Sequence, residues 1–545
     1  MSGRRSRAAW VTALLSTTVA AGLLTAAPAG AVVGDNPADG TYAFTAKLDI
    51  GGKRSCSGAL VEQGWVITAA SCFADSPAQG FKIAAGAPKL KTTVTVGRTN
   101  LSSTAGVVTE AVELVPRDDR DLVMVKLAQP VTGIAPVAVS SAAPQQGDEV
   151  RVAGYGRTKT EWIPQRLHSN TFTVDAVKDT SVGLAGKGAD AVVCKGDTGG
   201  PAFRENAGRA ELASINTASW QGGCFGTDAA ETRKGAVNTR VDDVAGWVSS
   251  VYSRGLLNKA NWKNADLLAS GYFTGGSAGG KRHMDMIVRW TDGSVTLYQG
   301  AEFNDPKYPF SSEYKLAEAG STFKYARAIS GGSFTGTGSD GLIVRWSDGE
   351  LTEYTHVDQN GFHGEKKLAD PNATWKNAKL ITSGRYTANA LRDDMLVVWV
   401  DGSISMYSDI DANGIRKATQ IQKANSTWTH AEQIGAGEFT GKKTSDLMVR
   451  WSDGEGTIYP GVDTAGLHGE IKIRDPKSAW TNATVITVGA FDANKVPNDV
   501  IVRWANGSLT MYPGVDSAGT HNEVRLVHSR IDAARAALDA QLLRR

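Results

Sequence analysis

Five tryptophans, Trp290, Trp346, Trp399, Trp451 and Trp504, follow one another at steps of 56, 53, 52 and 53 residues. Each closes an apolar, β-branched run and is followed by a D-G or N-G dipeptide and a second run ending in tyrosine. DMIVRWTDGSVTLY, Asp285 to Tyr298, and NDVIVRWANGSLTMY, Asn498 to Tyr512, are the first and last copies. A fixed period of this length with several strands per unit is the signature of β-propeller blades, whose apolar faces are buried only against the neighbouring blade. The dipeptide reads as a two-residue hairpin turn with both central positions at positive φ. Runs such as GEKKL, Gly364 to Leu368, supply a fourth strand. Residues 262–528 are therefore expected to form a five-bladed propeller.

Each repeat also opens on an aromatic: Trp262, Phe323, Trp375, Trp428 and Trp480. The anchor tryptophans and tyrosines read as filling between blades, whereas the opening aromatics are candidate ligand faces, for instance for the flat side of a sugar. The repeats resemble the tachylectin-2 type of propeller and, more distantly, FG-GAP repeats. The calcium loop of the latter needs acidic residues at alternate positions. GEFTGKKTSDL, Gly437 to Leu447, lacks them, so neither metal nor cofactor is expected. The chain from 529 to 545 has an Ala/Leu-rich helical pattern.

A chain of 545 residues is too long for one hydrophobic core. Its start has the layout of a secretory signal peptide: Arg4, Arg5 and Arg7, an apolar run from Ala8 to Ala27, then small residues up to a cleavage position near Ala31. No later run is long enough to span a bilayer. A net charge of +2 gives no reason to expect a nucleic-acid partner. Secretion makes disulfides plausible, and Cys56, Cys72, Cys194 and Cys224 allow three pairings.

Between the signal peptide and a linker at 254–261, short β-branched runs such as TTVTVG and DLVMVKL alternate with Gly, Pro, Asn and Asp, the pattern of an all-β barrel or sandwich. Residues 32–253 resemble the trypsin-like serine proteases through CSGALVEQGWVITAASC (Cys56 to Cys72), DLVMVKL (Asp121 to Leu127), YGRT (Tyr155 to Thr158), CKGDTGGPAF (Cys194 to Phe203), ASWQGGC (Ala218 to Cys224) and TRVDDVAGWV (Thr239 to Val248). The resemblance implies a two-barrel chymotrypsin fold. It also implies disulfides Cys56–Cys72 and Cys194–Cys224, and an ion pair between the amino group of Val32 and Asp197.

The same resemblance puts Ser71 where the family carries its general-base histidine, Asp121 at the aspartate and Thr198 at the nucleophilic serine. Gly196 and the Thr198 amide fall at the oxyanion positions. A serine hydroxyl is not basic near neutral pH and cannot replace an imidazole. His168, the one histidine between Val32 and Trp247, is expected on a strand well away from the triad, at the surface or half-buried. The specificity pocket falls on Val192, Ser219 and Gln221, with no carboxylate at its base. The expectation is a secreted protease homologue without catalysis, holding peptide or protein segments in its cleft and a glycan or cell-surface ligand on its propeller. The rival is an active endopeptidase of the trypsin type.

Overall fold

The computed structural model describes residues 37–529, except positions 278, 303, 337, 388, 390 and 412. The signal peptide, Val32 and, Ser529 apart, the expected C-terminal helix lie outside the described residues.

Six strands, β1 (Thr45–Ile50), β2 (Arg54–Glu62), β3 (Trp65–Thr68), β4 (Thr92–Val96), β5 (Val107–Pro116) and β6 (Val123–Leu127), close into a barrel in the order β1-β2-β3-β6-β5-β4. Alternation decides which side faces in: in TTVTV, Val94 and Val96 are fully buried while Thr93 and Thr95 are half-exposed. A second barrel follows from β7 (Ala138–Val139), β8 (Glu149–Gly154), β9 (His168–Val177), β10 (Ser181–Gly186), β11 (Pro201–Asn206), β12 (Arg209–Ser219) and β13 (Ala236–Arg240). It runs β11-β8-β9-β10-β13-β12 and closes through β11 on β12, with β7 added parallel to β12. The helix α1 (Ala245–Ser253) ends this part. Cys56 is bonded to Cys72 and Cys194 to Cys224.

Beyond it, twenty strands form five four-stranded antiparallel sheets, each from consecutive strands; the first comprises Ala265–Gly271, Asp285–Trp290, Val295–Gly300 and Phe310–Ala317. The fifth sheet returns to the first, where the Met284 amide donates to the Ala490 carbonyl at 2.8 Å and Arg503 donates to the Ala265 carbonyl. The ring is thus a five-bladed propeller. Five apolar clusters fill the spaces between successive blades, including fifth against first.

All five anchor tryptophans do the same second job. Each indole Nε1–H donates to a hydroxyl six residues later across the hairpin, Thr296, Thr352, Ser405, Thr457 or Thr510, at 2.8–2.9 Å. This pins the indole without leaving a buried donor unpaired. The hairpin turn differs from its two-residue expectation. Only the glycine is left-handed, for example Gly293 at φ +88°, and its amide bonds to the Trp290 carbonyl. Asp292 stays right-handed because its carboxylate accepts the Ser294 amide, giving a three-residue loop with a single glycine kink.

Four blades carry a buried aspartate at the head of the second strand, Asp285, Asp394, Asp446 and Asp499, whose carboxylates accept backbone amides from two loops. Asp446, for example, takes those of Phe439, Thr440 and Gly461 at 2.7 Å. The second blade has Gly341 there instead.

The second blade is also irregular at Glu353. Its sequence equivalents are Leu297, Met406, Ile458 and Met511, and all five are fully buried. Neither Glu353 oxygen has a hydrogen-bond partner, and burial, helped by Asp411 and opposed by Lys366, pushes its carboxyl up to about 7. A raised carboxyl pKa means the folded state holds a proton that the unfolded state has released. The wild-type propeller is therefore expected to lose stability as pH climbs from about 4.3 to about 7. Glu353→Met is expected to flatten that limb and raise the melting temperature above pH 7. Superimposable melting curves for the two proteins across this range would contradict the assignment.

Candidate functional site

A cleft of about 1080 Å³ is lined by Ser71, Asp121, Gly196, Thr198, Ser219 and Gln221 together. Ser71 sits in the single 3-10 turn, Ala70–Phe73, that follows β3; Asp121 lies just before β6 and Thr198 just before β11.

Ser71 bonds both oxygens of Asp121. The Ser71 hydroxyl donates to Oδ2 and the Ser71 amide to Oδ1, both at 2.7 Å. Burial raises the Asp121 carboxyl above its ordinary range, opposed by these bonds and by the Ala70 amide. The carboxylate that would orient an imidazole is thus occupied by a hydroxyl that has no proton-accepting power near neutral pH. Among the described residues, the Thr198 hydroxyl hydrogen-bonds to neither group.

Thr198 is carried by a backbone frame. Its carbonyl accepts the Ser57 amide at 2.9 Å, the Gly199 amide donates to the Asn216 carbonyl at 2.7 Å, and the Asn216 side chain donates to the Asp197 carbonyl at 3.3 Å. Asn238 in turn donates to the Asn216 side chain at 2.8 Å. Both asparagines are fully buried on the facing strands β12 and β13, a frame the sequence signalled only as two polar residues inside apolar runs. The amides of Gly196 and Thr198 make no hydrogen bond among the described residues, so two donors remain for a carbonyl or carboxylate oxygen.

Asp197 is 2 % exposed and multiply bonded. Its Oδ1 accepts the Gly156 amide at 2.7 Å and its Oδ2 the Cys194 amide at 3.0 Å. The two glycines that flank Tyr155, Gly154 and Gly156, have to lack side chains for this. A Cβ on Gly154 would stand 2.2 Å from Asp197 Oδ1, and one on Gly156 2.5 Å from its Cγ.

His168 lies on a strand and outside the cleft lining, as expected, but the expectation of a surface or half-buried residue fails. It is 5 % exposed, and its Nε2 lies 3.2 Å from Asp197 Oδ1 and 3.4 Å from Oδ2. The cause is register: β9 begins at His168, opposite Gly154 of β8, so its ring enters beside the turn that cradles Asp197. Burial opposes charging the ring, but the charge and hydrogen bond of Asp197, with Glu161 in support, prevail and raise its pKa. This histidine grips the residue next to Thr198 rather than Thr198 itself. Val32, the partner implied for Asp197, lies outside the described residues.

A family model described as Trypsin matches residues 31–248. Residues 31–248 are a trypsin-family domain. Two curated relatives align with it. The platelet-aggregating proteinase PA-BJ of Bothrops jararaca is 28% identical over 218 residues, which cover 36% of this chain and 83% of the relative. Trypsin of Sus scrofa is 24% identical over 215 residues, covering 36% and 85%. Among solved structures, neuropsin, a serine protease expressed in the limbic system of mouse brain, covers 40% of this chain and 98% of its own, with 18% identity and a TM-score of 0.32.

In the trypsin-family domain the residues given to the specificity pocket sit as follows. Val192 is 5 % exposed and packs on the Cys194–Cys224 disulfide, and it does not line the cleft that Ser219 and Gln221 line. The Ser219 hydroxyl donates to the Val193 carbonyl and accepts the Gln221 amide at 2.9 Å. Gln221 is half-buried at φ +61°, a left-handed conformation that a glycine adopts freely and a side chain resists by roughly 1–2 kcal/mol.

The opening aromatics of the propeller present no free ring face. Trp262, Phe323, Trp375, Trp428 and Trp480 are 1–8 % exposed. Trp262, Phe323, Trp375 and Trp428 lie 5.1–5.4 Å from the anchor tryptophan of their own blade, and Trp480 lies 5.7 Å from Tyr512. Both faces of a propeller sheet are buried between neighbours, so an aromatic at its root packs inward.

Proposed function

We propose that this protein is an exported binding protein whose trypsin-family domain has kept the peptide cleft and lost peptide hydrolysis. One observation carries the proposal: both oxygens of Asp121 are taken by Ser71, and the domain's one described histidine is committed to Asp197. Among the described residues no group at the cleft accepts a hydrogen bond from the Thr198 hydroxyl, and a hydroxyl nucleophile needs a base to take its proton. Export is supported by the two disulfides and by the leader-like start. No helix among the described residues is long and apolar enough to cross a membrane.

Incubation of purified protein with a fluorophosphonate probe and with casein tests this directly. The expected result is no probe on Thr198 and no casein fragments above a heat-treated control. Labelling that Thr198→Ala abolishes would establish the active endopeptidase instead.

A further inference from the structure

The charges around the cleft are one-sided. Lys47, Lys53 and Arg54, from the β1–β2 hairpin, line one part of it, and Arg157 and Lys195 line another. Among the described residues none of the five is in an ion pair. Two carboxylates share the lining, each hydrogen-bonded to neutral donors, Asp121 to Ser71 and Asp49 to the Gly52 amide of its hairpin at 2.9 Å, so cations outnumber carboxylates five to two. The excess is local, since the whole chain is nearly balanced at +2.

Two of these cations are held in place before any partner arrives. The Arg54 guanidinium donates to the carbonyls of Cys72, Ala74 and Asp75, which fix its position without neutralising its charge. Arg157 lies with its guanidinium carbon 3.3 Å from the centre of the Trp162 ring. Trp162 is 52 % exposed and meets Phe225 edge-on at 6.0 Å, while Ile163 beside it is 66 % exposed. An apolar ledge therefore borders the positive cleft on the Arg157 side. Gly196 and Thr198, both in the lining, add two backbone amides that donate to nothing among the described residues.

We infer that the cleft selects extended acidic protein segments, in which Asp or Glu side chains alternate with apolar ones. The inference rests on the reading of the cleft as a peptide-binding groove. Carboxylates match the five cations, apolar side chains match Trp162 and Ile163, and the backbone carbonyls match the two free amides. A polyanion without apolar groups would use the first of these features alone. Charge complementarity of this kind sets partner choice and association rate more than raw affinity, and it fades as salt shortens the screening length.

The test uses the intact protein and three fluorescein-labelled decapeptides, with Leu alternating with Glu, Gln or Lys, read by fluorescence anisotropy. The Glu peptide is expected to bind about tenfold or more tightly than the Gln peptide, a preference worth about 1.4 kcal/mol, and the Lys peptide not at all. Lys53→Glu combined with Lys195→Glu, both at exposed positions, is expected to abolish the preference while leaving the melting temperature unchanged. Equal binding of the Glu and Gln peptides would overturn the acidic class and leave the groove reading standing. Failure of all three peptides would overturn both. Tighter binding of a single-stranded oligonucleotide or of heparin than of the Glu peptide would replace the acidic segment with a general polyanion.

Discussion

Ser71→His combined with Thr198→Ser is expected to give the trypsin-family domain measurable hydrolysis of an activated ester and covalent reaction with a fluorophosphonate. Asp121 already occupies the position that would orient the new imidazole, and the Ser71 amide that bonds its Oδ1 survives the substitution because it belongs to the backbone. The nucleophile loop keeps its frame through Ser57, Asn216 and Asn238, and the amides of Gly196 and Thr198 are unengaged. Loss of a triad member typically costs on the order of 10⁴ to 10⁶ in turnover, and members act as a unit. Restoring both is therefore expected to raise ester hydrolysis by at least about 10²-fold over wild type, and either change alone to raise it hardly at all. A folded double variant that neither labels nor turns over would locate the defect beyond the triad. Gln221→Gly added to it then tests the strained pocket wall, because relief there opens the pocket and relaxes a positive-φ residue.

The fold was legible because its signals are local. The regular tryptophan spacing, the cysteine-bounded segments and the strand alternation each state a neighbour relation along the chain, and the propeller and the two barrels follow. That Ser71, Asp121 and Thr198 would share one cleft was legible for a related reason: each sits inside a long matched stretch. His168 was not legible, since its partner Asp197 is 29 residues away and their contact depends on the pairing of β8 with β9. The opening aromatics misled in the opposite direction. An aromatic at a fixed place in every repeat fits a ring of ligand pockets and a ring of core plugs equally well. Only the burial of both sheet faces separates the two. The turn after each anchor tryptophan shows how a side chain overrides a dipeptide rule, Asp292 choosing a right-handed turn by capping Ser294. The positive cleft was hidden by a net charge near zero, because five cations scattered from Lys47 to Lys195 in sequence converge only in space.

His168→Leu is expected to destabilise the trypsin-family domain strongly and in a pH-dependent way. The substitution keeps an apolar side chain of comparable bulk on β9 but strips Asp197 of the one cation given to it among the described residues. Removing one partner of a buried ion pair costs about 3–5 kcal/mol, since the remaining charge stays buried and uncompensated. Asp197 retains the Gly156 and Cys194 amides, which puts the expected loss at the lower end of that range. The pH dependence has a definite sign. The pair raises the pKa of His168 above its unfolded value of about 6.5. Its contribution is then fully present below that value and is lost as pH rises through the folded pKa. Urea unfolding should accordingly show the wild-type advantage over His168→Leu largest near pH 6 and shrinking at alkaline pH, with Asp197→Asn abolishing the dependence. A constant gap from pH 6 to pH 10 would mean that His168 is neutral in the folded protein and contributes packing alone. Because Asp197 sits between Gly196 and Thr198, the same variant should also weaken whatever the two free amides bind. The two readouts would then fall together as the pH rises.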